Sequence, residues 1–259
     1  MKLYRLALVA LLAVGLTANF AAAQTAAPAK PEAKPAAKPA AKPAAPPITV
    51  PTTEPVNRDG ARHQLINSRA IPGQVDLLFI GDSITQGWEG AGKDAWAKYF
   101  GSRKPMNAGI GGDRTQHILW RLENGNIKGI TPKAAVIMIG TNNSGNNTSA
   151  EIADGVKAIV AKLRKELPEM KILLLGIFPR GANNDDARRK TVYGANEIFS
   201  KLADDKNVFY MDLGPKFLAA DGTLSKEIMP DLLHLSPKGY EIWASSIDAK
   251  VGELLGEKK

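Results

Sequence analysis

The chain has 259 residues, with 34 Lys and Arg against 26 Asp and Glu, and no cysteine. The last point excludes disulfide bridges, thiolate metal sites and an N-terminal lipid anchored on cysteine. Of the formal charge of +8, five units fall within residues 1–50, which hold six basic residues and one acidic residue. The remainder is nearly balanced, so the basic pI does not argue for nucleic-acid binding.

Residues 1–23, MKLYRLALVALLAVGLTANFAAA, join a basic start to an apolar run and then to small residues before Gln24. That pattern predicts a signal peptide cleaved before Gln24 and an exported, periplasmic or extracellular, protein. The alternative is an uncleaved anchor, although the run falls short of the roughly 20 apolar residues of a membrane span. Residues 24–55 are rich in Ala, Pro and Lys, with KPAA recurring. Such a stretch cannot bury a core and is expected to be an extended spacer of about 3 Å per residue. An inert linker is the simpler reading; the other is weak contact between its lysines and anionic envelope polymers.

Residues 56–259 remain for one folded domain. Five apolar runs recur there: VDLLFI (75–80), KPMNAG (104–109, the weakest), AAVIMIG (134–140), KILLLGI (171–177) and NVFYMDL (207–213). They are runs rather than alternations, as in strands buried on both faces. Helical periodicity lies between them, clearest where Ile152, Val156, Ile159, Val160 and Leu163 share a face, with Ser149 as the expected cap and Pro168 beyond the end. Further helices are expected in DDARRKTVYGANEIFSKLADD and in PKGYEIWASSIDAKVGELL after Ser236. The alternation predicts an α/β fold, a three-layer αβα sandwich on a five-stranded parallel sheet, with function at the carboxyl ends of the strands.

Gly81-Asp82-Ser83 ends the first run. Ser83 is either the N-cap of the next helix or a nucleophile at the sheet's tip. A nucleophilic serine needs a base, and the chain holds only His63, His117 and His234. His234 follows Asp231 by three residues, a spacing that lets one turn hold imidazole and carboxylate together, although Asp before a helix is commonly a cap. GIGG (109–112) offers unobstructed backbone N–H groups and Asn142 in GTNN a side-chain amide for a developing oxyanion; either segment could equally be only a turn. No phosphate-binding glycine motif is present, and the wide separation of the histidines, without H-E-x-x-H, predicts no metal site.

Taken together, GDS at 81–83, the glycine loop at 109–112, GTN at 140–142 and D-x-x-H at 231–234 resemble the four blocks of the GDSL, or SGNH, hydrolases, in order and in spacing. GIGGDRTQHILWRLENG, GTNN and GIFPRG look most like the branch that contains the catalytic subunits of platelet-activating-factor acetylhydrolase. The resemblance covers residues 75–255 and implies Ser83 as nucleophile, His234 as base and Asp231 as its partner. It also implies oxyanion donors in the Ser83 and Gly112 N–H groups and the Asn142 side chain, and no cofactor. Asp82 is expected to orient backbone, His117 to be structural, His63 to lie on a helix surface, and Trp120 and Leu122 to be core; Trp88 is either core, the simpler reading, or a platform for substrate. Ile84 follows the nucleophile and Leu233 precedes the base, so both are expected to wall the acyl space.

The expected activity is an exported serine esterase that removes short acyl groups, acetyl above all, with acetylated carbohydrate as the substrate suited to the leader. A short-chain lipid or lysophospholipid esterase is the alternative among enzymes. A catalytically idle glycan-binding domain is the alternative outside them.

Overall fold

The computed structural model describes residues 50–258; the expected signal peptide, its cleavage point at Gln24 and the spacer up to residue 49 lie outside the described residues. Strands β1 (Leu77–Gly81), β2 (Pro105–Gly109), β3 (Ala134–Met138), β4 (Lys171–Leu175) and β5 (Val208–Met211) form one all-parallel sheet in the order β2-β1-β3-β4-β5. Each coincides with one of the five apolar runs, β1 extending one residue past its run to Gly81. The weak run supplies β2, an edge strand, the position at which a strand can begin on proline.

Because successive strand residues point to opposite faces, each strand feeds two cores. Leu78, Ile80, Ile137, Ile172 and Leu174 pack in one cluster with residues of α1 (Ala61–Arg69), α4 (Thr115–Glu123), α5 (Ser149–Glu166) and α6 (Ala187–Phe199). Leu77, Phe79, Val136, Met138 and Leu173 pack in the other, with residues of α3 (Lys93–Phe100), α7 (Gly214–Phe217) and α8 (Pro237–Leu255). The result is the expected three-layer αβα sandwich. On α5, Ile152, Val156, Ile159 and Leu163 are fully buried, each contributing about 1.5–3 kcal/mol of burial free energy. Its cap is Thr148 rather than the expected Ser149: Thr148 Oγ1 accepts the Glu151 N–H and Glu151 Oε2 accepts the Thr148 N–H. This reciprocal pairing requires an acidic residue three positions after the cap, which Ser149 lacks.

The chain is packed from residue 50, within the stretch assigned to the spacer. Thr52 is buried, the Val50 and Thr52 carbonyls accept from Gln116 Nε2 and Thr115 Oγ1, and the Val56 N–H donates to the Gln116 carbonyl. With β2 on one side of β1 and β3 on the other, the strand order reverses at β1, and the crevice outside its carboxyl end is where open α/β sheets bind ligands.

Candidate active site

At that crevice β1 turns into a short helix, α2 (Ser83–Gln86). A Cβ on Gly81 would lie 2.1 Å from Thr85 Oγ1 and 2.4 Å from the Met138 carbonyl oxygen, so the turn needs glycine. Asp82 caps α2, its Oδ1 accepting the Ile84 N–H at 2.9 Å. Ser83 is thus the first helical residue and not the cap. Its Oγ lies 2.8 Å from His234 Nε2, and His234 Nδ1 lies 2.6 Å from Asp231 Oδ2. Asp231 Oδ1 accepts the N–H groups of Leu233 and His234 at 3.0 and 2.7 Å, so one carboxylate both builds the turn and orients the ring. Partial burial works to raise the Asp231 pKa, but hydrogen bonds from the His234 ring and backbone outweigh it and hold the carboxyl below its ordinary value. A carboxylate at Nδ1 keeps the proton on that nitrogen and leaves Nε2 to accept from the serine hydroxyl.

The loop after β2 is bonded to this turn, and the loop after β3 is bonded to the loop after β2. Gln86 Oε1 accepts the Gly111 N–H at 2.7 Å, and a Cβ on Gly111 would come 3.9 Å from Ser83 Cβ. Gly112 has φ +79°, a left-handed conformation that suits glycine, and its N–H makes no hydrogen bond among the described residues. Asn142 Nδ2 donates to the Asp113 carbonyl at 2.9 Å, and the amide carries a second N–H. The Ser83 N–H, at the first position of its helix, has no intrahelical acceptor. These donors lie at the carboxyl ends of three adjacent strands, where they can bind negative charge. Beneath them the fully buried Asp113 carboxylate pairs with Arg58 at 2.6 Å and Arg121 at 2.8 Å, and Arg58 also donates to the Gly111 carbonyl.

Residues 79–242 match the model of the GDSL-like lipase/acylhydrolase family. The chain belongs to this family. It is 36% identical over 182 residues to platelet-activating factor acetylhydrolase IB subunit alpha1 of Homo sapiens, covering 70% of this chain and 78% of that one. Among solved structures, a putative acylhydrolase from Bacteroides fragilis superposes with a TM-score of 0.61 at 20% identity, over 77% of this chain and all of the other. An acetylxylan esterase from Geobacillus stearothermophilus does so at 0.55 and 19%, over 73% and 97%. As a GDSL-type acylhydrolase, the protein is a serine-dependent ester hydrolase.

Other residues of this GDSL hydrolase depart from expectation or add to it. Ile84 is only 1% exposed and packs in the α8-side cluster, so it offers no surface to a substrate, whereas Leu233 is partly exposed beside His234. His63 is not on a helix surface: it is 2% exposed, between the Asn67 and Asn126 amides and 5.0 Å from the Trp120 ring. The α1 face bearing His63 and Ile66 turns inward, a burial that depends on partners distant in sequence. Trp120 is itself partly exposed rather than core, while Trp88 and Leu122 are buried. His117 Nδ1 accepts the Arg114 N–H at the start of α4, a structural role. Asp82 is fully buried, its Oδ2 has no partner among the described residues, and burial, with the nearby Asp113 charge, pushes its pKa up to about 7. A cavity of about 730 Å³ between α6, β5 and residues 214–222 includes none of the triad or oxyanion residues.

Proposed function

We propose that this hydrolase is an exported esterase that removes acetyl groups from carbohydrate through an acyl-enzyme on Ser83. The observation that carries the mechanism is the continuous chain Ser83 Oγ, His234, Asp231, with separations of 2.8 and 2.6 Å. His234 Nε2 takes the Ser83 proton as Oγ attacks the ester carbonyl, and Asp231 stabilises the imidazolium. The carbonyl oxygen becomes an oxyanion received by the Ser83 and Gly112 N–H groups and the Asn142 amide. His234 then protonates the departing alcohol. Water, deprotonated by the same imidazole, attacks the acetyl-serine and releases acetate, restoring the hydroxyl.

Two considerations support acetyl: the name of the human relative is that of an acetylhydrolase, and one structural neighbour is an acetylxylan esterase. The carbohydrate rests on the signal-like residues 1–23 and on the openness of the triad, with the His234 and Asp231 side chains 44% and 56% exposed, so that a bulky polar alcohol part can remain in water. The name of the curated relative favours a second substrate, a short-chain ester of a lipid. Acetate release from acetylated xylan and oligosaccharides, compared with acetyl-glycerolipids, tests the proposal. Faster turnover per site on the lipids would reverse the order. Mass spectrometry of exported protein, expected to start at Gln24, tests the location; intact Met1 on membrane-bound material would favour an anchor.

A further inference from the structure

Arg189, in the first turn of α6, is fully buried, yet it forms no ion pair among the described residues. Its guanidinium is satisfied by oxygens of three segments. Nε donates to the Arg180 carbonyl at 2.6 Å, Nη2 to the Gly181 carbonyl at 2.6 Å, and Nη1 to the Gly222 carbonyl at 2.7 Å and Asn184 Oδ1 at 3.2 Å. Burying a cation without a carboxylate is costly. What this arrangement obtains in return is a fixed course for residues 180 and 181.

Both of those residues reach the catalytic rim, in opposite directions. Arg180 Nη1 donates to the carbonyl and hydroxyl oxygens of Thr141, at 3.1 and 3.0 Å, immediately before Asn142. The Gly181 N–H donates at 2.9 Å to the carbonyl of Leu232, between Asp231 and His234. Leu232 has φ +61°, a left-handed conformation that strains a leucine and persists only where surrounding contacts impose it. The bond from Gly181 is one such contact. Gly181 is itself held at φ +71°, and a Cβ there would lie 2.3 Å from Asp186 Oδ2.

We propose that Arg189 is a positioning residue for ester hydrolysis. By clamping residues 180 and 181 it sets the Asn142 loop and the Asp231–His234 loop at a fixed separation, without touching substrate. The inference rests on the triad reading above.

The test uses Arg189→Lys, which keeps the charge but loses the fork that spans three carbonyls. Active sites are counted with a serine-directed phosphonate, and kcat and KM for an aryl acetate are expressed per labelled site, so a smaller folded fraction does not register as slower chemistry. The expected result is a fall in kcat of about 10²-fold, the scale of a small displacement of catalytic groups, with KM little changed. Arg180→Gln, at a partly exposed position that leaves the Arg189 bonds in place, is expected to lower kcat by roughly 10-fold. The double variant should lose less than the product of the two effects, because both act on one linkage. A folded Arg189→Lys with wild-type kcat per site, whatever its Tm, overturns the proposal. If that variant does not fold, Arg180→Gln decides alone, and a wild-type kcat overturns it. Wild-type protein that hydrolyses esters without phosphonate labelling of Ser83 would instead remove the triad reading on which the proposal stands.

Discussion

The Tyr240 hydroxyl donates to the carbonyl of Ile84 at 2.6 Å, joining α8 to the residue after Ser83. Burial, with the nearby Asp82, pushes the phenol's pKa upward, so it remains a donor. The same oxygen would lie 1.9 Å from a Cβ on Gly87. Tyr240→Phe should therefore cost about 1–3 kcal/mol through the buried carbonyl left unpaired. Gly87→Ala should be severely destabilising in the wild type and less so in Tyr240→Phe. Urea unfolding of the four proteins checks this; strict additivity would show that the hydroxyl does not confine Gly87.

Ser83→Ala is expected to lower kcat by about three or more orders of magnitude with the fold intact, since no acyl-enzyme can form. Comparison of turnover with circular dichroism and Tm decides it. Substantial activity at unchanged stability would eliminate the serine mechanism.

Asn142→Ala should reduce kcat by roughly 10²-fold to 10³-fold and change KM less, because the amide acts on charge that develops in the transition state. Steady-state kinetics on an aryl acetate separate the two parameters. An effect confined to KM would reassign Asn142 to substrate binding.

Asp82 gives the protein a pH-dependent weakness. Its pKa rises from 3.8 to about 7 on folding, so between those values the unfolded chain releases a proton that the folded protein retains. Stability contributed by the neutral carboxyl is complete below the unfolded value and is lost as pH rises through the window, by on the order of 4 kcal/mol over some three units. Asp82→Asn keeps the acceptor for the Ile84 N–H and removes the titration. Its stability relative to wild type should climb between about pH 4 and 7 and then level off. A constant difference across that range would show that Asp82 does not carry the shift.

Leu233 is partly exposed beside His234, whereas Ile84 is enclosed, so any restriction on acyl length at these two positions falls to Leu233. A hydrophobic wall discriminates by about 1–3 kcal/mol per methylene. The kcat/KM for aryl esters should fall steeply from acetate to butyrate and be very low by octanoate, and Leu233→Ala should flatten that fall while keeping acetate activity. A wild-type profile rising toward octanoate would instead favour a lipid substrate.

The sheet was legible because each strand is a local, mostly apolar run; Ser83, Gly112 and Asn142 stood out because each sits in a short motif just past a strand's end, and Asp231 and His234 because they share one D-x-x-H turn ahead of the last helix. What escaped the sequence depends on partners far along the chain. Asp113 is bonded by Arg58, 55 residues away, and His63 is buried by Asn126, 63 residues away. Nothing local marks Arg189 for burial; the carbonyls that enclose it come from residues 180, 181 and 222. The expected cap Ser149 gives way to Thr148 because Glu151 stands three residues after Thr148 and closes the reciprocal pair.

The packed segment that begins at residue 50 has a mechanical consequence. A pull on the chain ahead of it would first load the Gln116 bond to Val50 and the Thr115 bond to Thr52, both on α4. Only after these, the Thr52 hydroxyl bond to the Glu151 carbonyl on α5 and the Val56 N–H bond to the Gln116 carbonyl gave way would tension reach Arg58, whose guanidinium holds the Gly111 carbonyl. These contacts with α4 and α5 thus serve as strain relief, as a cable is gripped ahead of its terminal, and an enzyme held by its N-terminal end could be tugged without disturbing the Gly111–Gly112 loop.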